Sequence, residues 1–190
     1  MDWQALGLAA TIFIRVFNNL DVPAGDLAAA RQQAGAILRD AGIQAVWLNC
    51  WQGDRQPSDA PFRCREPLDD DLVLRLQKTH KADGSKFVSM GFSLVRDDHA
   101  APFLSTVYVD RVESVARAAG IDARRLLGLA IAHEIGHLLL NSNSHARTGL
   151  MRADWSRAEL RRNEAGAWRF LHSEAADLRA AALQRQARSR

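Results

Sequence analysis

The sequence predicts an α+β fold with five strands and two main helices, one early in the chain and one after the last strand. Five short segments are rich in β-branched and aromatic residues, or alternate apolar with polar positions, as strands do. An alanine-rich segment near residue 30 and a long apolar segment near residue 130 have helical character. With 190 residues, 47% of them hydrophobic, the chain is expected to form one domain around its own core.

The first two strands are predicted on either side of a helix. Residues 11–18, TIFIRVFN, form the first strand because they are β-branched and aromatic. The alanine-rich segment from Val22 to Asp40, with Pro23 near its start, predicts a helix that Gly42 ends. Residues 43–50, IQAVWLNC, form the second strand.

The remaining strands follow a polar loop. Residues 71–78 alternate three leucines with more polar positions, which predicts a half-buried strand. A turn at Asp83-Gly84 separates it from a fourth strand, residues 86–95, and a fifth strand is predicted at residues 103–110.

Helices dominate the last part of the chain. One helix is predicted from near Asp110 to Ala119, and a longer one follows through Leu140, with Asp122 as its N-cap. Residues 156–186, rich in Ala, Arg, Leu and Glu, are expected to be mainly helical.

The two cysteines, Cys50 and Cys64, lie near the ends of the polar loop. A disulfide between them would close a loop of about 15 residues and contribute roughly 3 kcal/mol; two unpaired buried thiols are the alternative. A disulfide implies an oxidising compartment, so we expect a secreted or extracytoplasmic protein. The start of the chain does not read as a signal peptide, which keeps a cytoplasmic location as the alternative.

The composition argues against two kinds of partner. No stretch of 18 apolar residues is present, so no membrane span is expected. The net charge is only +3, and although residues 152–190 carry nine arginines against five acidic residues, aromatic residues do not interleave with them. Nucleic acid is therefore not an expected partner, and a monomer is expected.

The pentapeptide His-Glu-Ile-Gly-His, residues 133–137, is the strongest motif in the chain. Residues i and i+4 lie on the same face of a helix, so His133 and His137 can direct two ring nitrogens at one zinc ion. Glu134 lies beside the first histidine, where its carboxylate can accept a proton from a metal-activated water. Two buried core histidines are the alternative, but a glutamate in so apolar a helix needs a partner.

The segment that follows reads HEIGHLLLNSNSHARTGLM, with a third histidine, His145, and a Gly-Leu-Met triplet ending at Met151. This arrangement resembles the metzincin clan of zinc metallopeptidases, whose HExxHxxGxxH motif precedes a turn with a methionine beneath the metal. The resemblance implies that His133 and His137 bind zinc, that Glu134 is the general base and that Met151 is the Met-turn residue.

The match departs from the family at two positions. The family's glycine would fall at Leu140 and its third ligand at Asn143. A turn lengthened by two residues would bring His145 to the third ligand position, with Asn141 providing a left-handed helix exit. Asn143 is an alternative ligand, although zinc prefers nitrogen, sulfur and carboxylate donors. Downstream carboxylates also remain open as third ligands: Asp154, Glu159, Glu164 and Glu174.

The resemblance also implies an architecture. In metzincins a five-stranded mixed sheet packs on two helices, and the cleft separates an upper part from a small lower part. Here the upper part would run to about residue 140, and residues 141–190 would form the lower part with its C-terminal helices. The fourth strand would be the edge along which an extended substrate adds as a further strand. The cleft residues expected on this basis are Gly91, Phe92, Ser93 and Trp155.

The expected activity is that of a zinc metalloendopeptidase with one catalytic Zn²⁺, acting on protein or peptide substrates. A zinc-stabilised binding module without turnover is the alternative from another functional class. Trp155 could equally pack in the core. A core position is expected for Tyr108, and surface positions are expected for His80, His99 and His172.

Overall fold

The computed structural model describes residues 9–51, 57–66, 68, 70–79, 89–95, 103–162 and 164–188. The strands are β1 (Ala10–Asn18), β2 (Ile43–Cys50), β3 (Leu72–Gln77), β4 (Gly91–Ser93) and β5 (Leu104–Tyr108). The α-helices are α1 (Ala24–Asp40), α2 (Phe62–Arg65), α3 (Val109–Ala119), α4 (Ala123–Leu140), α5 (Arg157–Arg162) and α6 (His172–Arg188). A 3₁₀ helix, Ala165–Trp168, lies between α5 and α6.

The five strands form one mixed sheet in the order β2-β1-β3-β5-β4. Strand β1 is parallel to β2 and to β3, and β3 is parallel to β5. Parallel neighbours need a crossover, and α1 provides it between β1 and β2. Strand β4 is antiparallel to β5 and forms the edge of the sheet. The predicted mixed five-stranded α+β architecture is therefore confirmed.

Within the described residues 89–95, the fourth strand is shorter than predicted. Regular pairing covers only Gly91–Ser93, and residues 86–88 lie outside the described part of the chain. The partner strand explains this shortness, because β5 ends at Tyr108 where α3 begins. One backbone hydrogen bond extends the pairing at each end of the strand. The Leu94 amide donates to the Leu104 carbonyl, and the Tyr108 amide donates to the Met90 carbonyl.

Strand β3 is buried more deeply than the alternating pattern predicts. Its leucines Leu72, Leu74 and Leu76 are buried as expected, but Val73 on the opposite face is buried too. The reason is its position, because β3 lies between β1 and β5 in the middle of the sheet, where both faces are covered.

Helices α1 and α4 pack against each other and against the same face of the sheet. They approach closely at Gly128, where an added Cβ would lie 2.7 Å from the Ala30 carbonyl oxygen and 2.6 Å from the Gln33 Cβ. The sheet therefore packs on two main helices as predicted, and these helices are closest at Gly128. Helix α4 lies beneath β3, β4 and β5.

The predicted disulfide is present on the opposite face of the sheet. Cys50, the last residue of β2, bonds Cys64 in α2 with a Cα–Cα distance of 5.4 Å. Both cysteines belong to a small cluster of buried side chains. The other members of this cluster are Phe17, Ala60, Val73 and Leu104.

The last helix, α6, returns to the sheet and packs against β1 and α4. Its residues Leu178 and Ala182 are buried, and the Thr11 amide donates to Gln186 Oε1 at 3.3 Å. The division into an upper part and a lower part, residues 141–190, stays a prediction. Among the described helices, none combines the length and hydrophobicity that a membrane crossing requires.

Candidate metal centre

The helix that carries the histidine motif is enclosed by the rest of the protein. Every residue of α4 from Leu126 to Leu139 is buried. The carboxylate of Asp122 accepts from the Arg124 amide at 2.8 Å, which confirms the predicted N-cap. Asn141 ends the helix in the left-handed conformation with φ 47°. The chain therefore leaves α4 one turn after His137.

The two motif histidines face each other across one helical turn. His133 Nδ1 lies 2.9 Å from the Leu150 carbonyl oxygen, and His137 Nδ1 lies 2.6 Å from the Ser142 carbonyl oxygen. A carbonyl oxygen only accepts hydrogen bonds, so each Nδ1 carries the proton in the neutral ring. Both Nε2 atoms therefore present lone pairs, and they lie 3.0 Å apart. Two lone pairs at this distance favour a cation between them.

The third histidine comes from the loop after α4. The ring of His145 stacks on His133 with centroids 5.4 Å apart and meets His137 edge-on at 4.9 Å. One nitrogen from each ring lies within 4.8 Å of the others. His133 and His137 are buried, whereas His145 is exposed. The described residues contain no second group of this kind.

The three downstream glutamates are bound to other groups. Glu159 accepts from Ser156 and pairs with Arg152, and Glu164 pairs with Arg162. Glu174 accepts from the Leu171 amide at 2.7 Å. Asp154 and Asn143 line the same cleft as the histidines. Of the candidates considered from sequence, the structure therefore brings His145 to the histidine pair and none of the glutamates.

Burial keeps the paired imidazoles neutral. It lowers the pKa of His133 to about 3; the neighbouring His137 and His145 rings act in the same direction, and the bond to the Leu150 carbonyl acts against it. Burial also lowers the pKa of His137, against the bond to the Ser142 carbonyl. Both rings are therefore neutral at neutral pH, which is the state that binds a metal ion.

Glu134 is the one ionisable group beside the histidines on α4. Its side chain is 5% exposed, and burial raises its pKa to about 7, partly offset by a hydrogen bond from Ser93. A carboxyl group with this pKa can take up and release a proton near neutral pH, as a general acid or base does.

Met151 packs directly beneath the histidine-bearing turn. It is 1% exposed, and a Cβ added at Gly136 would lie 2.6 Å from its sulfur. Met151 thus packs against the helical segment between His133 and His137. Its role as a Met-turn residue remains a proposal.

Trp155 takes part both in the core and in the cleft. Its ring meets His133 edge-on at 5.5 Å and Trp168 at 5.4 Å. Trp168 in turn has the guanidinium groups of Arg125 and Arg152 near its ring, at 5.8 and 5.3 Å. Trp168 could not be predicted from the sequence, because nothing in its local pattern indicates that it packs against a residue next to His133.

A cleft of about 640 Å³ contains the histidines and Glu134. All four predicted cleft residues, Gly91, Phe92, Ser93 and Trp155, are in its walls. The sequence analysis missed four apolar residues that share the walls: Met90, Val115, Ala130 and Ala153.

Tyr108 and His172 do not line the cleft. Tyr108 is half-buried on β5, with its ring 6.1 Å from that of Phe92. His172 is exposed at the start of α6, as predicted. His80 and His99 lie outside the described residues.

The fold is similar to that of solved zinc-dependent peptidases. A zinc-dependent peptidase from Methanocorpusculum labreanum matches with a TM-score of 0.54 and 15% sequence identity, over 87% of this chain and 99% of that chain. Archaemetzincin from Methanopyrus kandleri matches with a TM-score of 0.53 and 14% identity, over 93% of this chain and 98% of that chain. No model of a protein family and no curated protein matches. At these identities the likeness shows the fold, and the chemistry rests on the site itself.

Proposed function

We propose that this protein is a zinc-dependent metallopeptidase in which Glu134 is the general base. The observation that carries the proposal is the convergence of three imidazoles beside a buried carboxylate on the same helical turn. A purely structural metal site has no use for a proton acceptor at this position. Solved structures with a similar fold include a zinc-dependent peptidase and an archaemetzincin, which supports the proposal.

The donor set fits zinc. Imidazole nitrogen is a preferred zinc ligand, and the two Nδ1 bonds to backbone carbonyls hold the rings of His133 and His137 as metal-binding histidines are held. Two nitrogens of a tetrahedral zinc site lie roughly 3.3 Å apart, close to the 3.0 Å between the Nε2 atoms. His145 would supply the third nitrogen and leave one position open, as catalytic zinc sites do.

When bound, zinc would polarise the scissile carbonyl and lower the pKa of a water molecule at the site. Glu134 would accept a proton from that water through its carboxylate and later deliver it to the leaving amine. A cation held by the three imidazoles would favour the ionised form of Glu134, which is the form that accepts the proton.

The cleft suggests how a peptide would lie. Strand β4 is an edge strand, so an extended segment of substrate can pair with its free side along Gly91, Phe92 and Ser93. Trp155 would form an apolar wall next to His133, and Met151 would support the metal-binding turn from below. An edge strand at the cleft, to which an extended segment can pair, supports cleavage within a chain, as by an endopeptidase.

We further propose that the protein works as a monomer in an oxidising, extracytoplasmic environment. The disulfide between Cys50 and Cys64 supports this location, because such bonds persist outside reducing compartments.

Cleavage of casein by the zinc-loaded protein tests the proposed function. We expect cleavage that 1,10-phenanthroline abolishes and zinc restores. Glu134→Gln should bind one zinc ion per chain yet cleave at least about 100-fold more slowly, since a general base contributes about 10²–10⁴ in rate. Glu113→Gln, at an exposed position of α3, is the matched control and should behave as the wild type. A wild-type protein that binds zinc but cleaves neither casein nor gelatin would instead identify a zinc-stabilised binding module.

A further inference from the structure

The edge strand β4 touches the carboxylate of Glu134 directly. The hydroxyl of Ser93 lies 2.7 Å from Glu134 Oε2 and 2.8 Å from the backbone carbonyl oxygen of the same residue. Both side chains are buried, with Ser93 8% and Glu134 5% exposed. A hydroxyl has one proton and donates it to one acceptor at a time. When Ser93 donates to Oε2, the bond ties the Glu134 carboxylate to strand β4.

Gly91, two residues earlier on the strand, determines where the second carboxylate oxygen can lie. A Cβ at this position would be 2.7 Å from Glu134 Oε1 and 2.7 Å from the Thr106 carbonyl oxygen. Any side chain here would therefore displace the carboxylate. Within the described part of the chain Oε1 has no hydrogen-bond partner, so the two oxygens of Glu134 are not equivalent.

We propose that Ser93 is a positioning residue that holds Glu134 in one rotamer, so that Oε1 is the oxygen that exchanges the proton with the substrate water. The proposal rests on the peptidase function proposed above. Glutamate has three side-chain torsions, so its carboxylate keeps one orientation only when a hydrogen bond restrains it. The bond from Ser93 to an ionised carboxylate is of the strong, charge-assisted kind. A misplacement of about 1 Å can reduce a rate by about 100-fold.

Strand β5 offers a matched control for Ser93. Ser105 is its register partner in the antiparallel pair, so the two side chains leave the same face of the sheet. Ser105 is also buried, but its hydroxyl lies 3.5 Å from the Val73 carbonyl oxygen, and among the described residues it has no hydrogen bond to Glu134. Replacing either serine by alanine removes one buried hydroxyl next to the same strand pair.

The experiment compares the zinc-loaded wild type with Ser93→Ala and Ser105→Ala. Fluorescein-labelled casein gives kcat and KM, elemental analysis gives the zinc content, and a crystal structure of each zinc-loaded variant locates the Glu134 carboxylate. For Ser93→Ala we expect kcat about 10- to 100-fold lower, an unchanged KM, one zinc ion per chain and a displaced carboxylate. Ser105→Ala should keep kcat within about twofold, with the Glu134 carboxylate in place.

The positioning role is overturned if Ser93→Ala keeps kcat and the carboxylate position, or if both alanine variants lose activity and zinc to the same extent. A wild type that does not cleave casein refutes the proposed function separately. In that case the crystal structures still decide the positioning role, because a carboxylate that moves only in Ser93→Ala supports it and one that stays refutes it.

Discussion

The substitution Gly128→Ala tests whether the contact between α1 and α4 determines where the metal-binding helix lies. The new Cβ would be 2.7 Å from the Ala30 carbonyl oxygen, whereas ordinary contacts begin at 3.4 Å, so the helices must separate by about 0.7 Å. A backbone oxygen cannot rotate away as a flexible side chain can. A gap of this size forfeits about a quarter to a half of each dispersion contact between the helices.

The expected loss of stability follows from two opposing effects. Overpacking a core typically costs about 1–3 kcal/mol, and replacing glycine by alanine within a helix recovers about 0.5–1 kcal/mol. The central values of the two ranges leave a net loss of about 1.3 kcal/mol, which lowers the Tm by roughly 3–5 °C for a domain of this size.

Differential scanning calorimetry of the zinc-free protein measures this change. Gly25→Ala in α1 is the matched control, since a Cβ there meets nothing within 4 Å, and its Tm should stay the same or rise slightly. The reasoning is refuted if Gly128→Ala melts at or above the wild-type temperature, because the close approach would then not constrain the two helices.

Two further predictions concern the loop and helix beyond α4. His145→Ala should lose most of its bound zinc by elemental analysis, whereas Glu159→Ala should keep it, since only His145 lies with the histidine pair; normal zinc content in the first variant would remove His145 from the site. The second prediction concerns acid stability. Hydrogen bonds from Ser156, and then from Arg152, lower the pKa of Glu159 from 4.5 to about 2. Its folded pKa is below its unfolded pKa, so its stabilisation is complete above pH 4.5 and lost as the pH falls towards 2. The Tm difference between wild type and Glu159→Gln should therefore shrink over this range. A constant difference would contradict the lowered pKa of Glu159.

The sequence predicted the elements whose signals are local. The capping residue Asp122 and the end of α4 at Leu140 were both located, because a cap and a left-handed exit depend on neighbouring residues alone. The lengths of β4 and β5 were wrong, because they depend on partners. Residues 103–110 all suit a strand, yet the strand stops at Tyr108 because α3 begins at Val109 and packs against α4.

In the site too, features set by local sequence were predicted and features set by distant groups were not. The i, i+4 spacing of His133 and His137 predicted their convergence, and the loop brings His145 to them. The groups that orient the first two rings could not be predicted, because they are the backbone carbonyls of Leu150 and Ser142. Every residue has a carbonyl, so no residue type marks this role in a sequence.

The burial of α4 explains why its glycines carry more information than its apolar residues. A helix that is buried on all sides has no polar face, so its hydrophobic pattern does not indicate which side meets which neighbour. Small residues do indicate which side meets which neighbour. The absence of a side chain at Gly128 leaves room for α1, and its absence at Gly136 leaves room for Met151. These two contacts restrict the rotation of the helix about its axis. The same rotation directs Glu134 to the edge strand, where Gly91 leaves room for its carboxylate and Ser93 binds it.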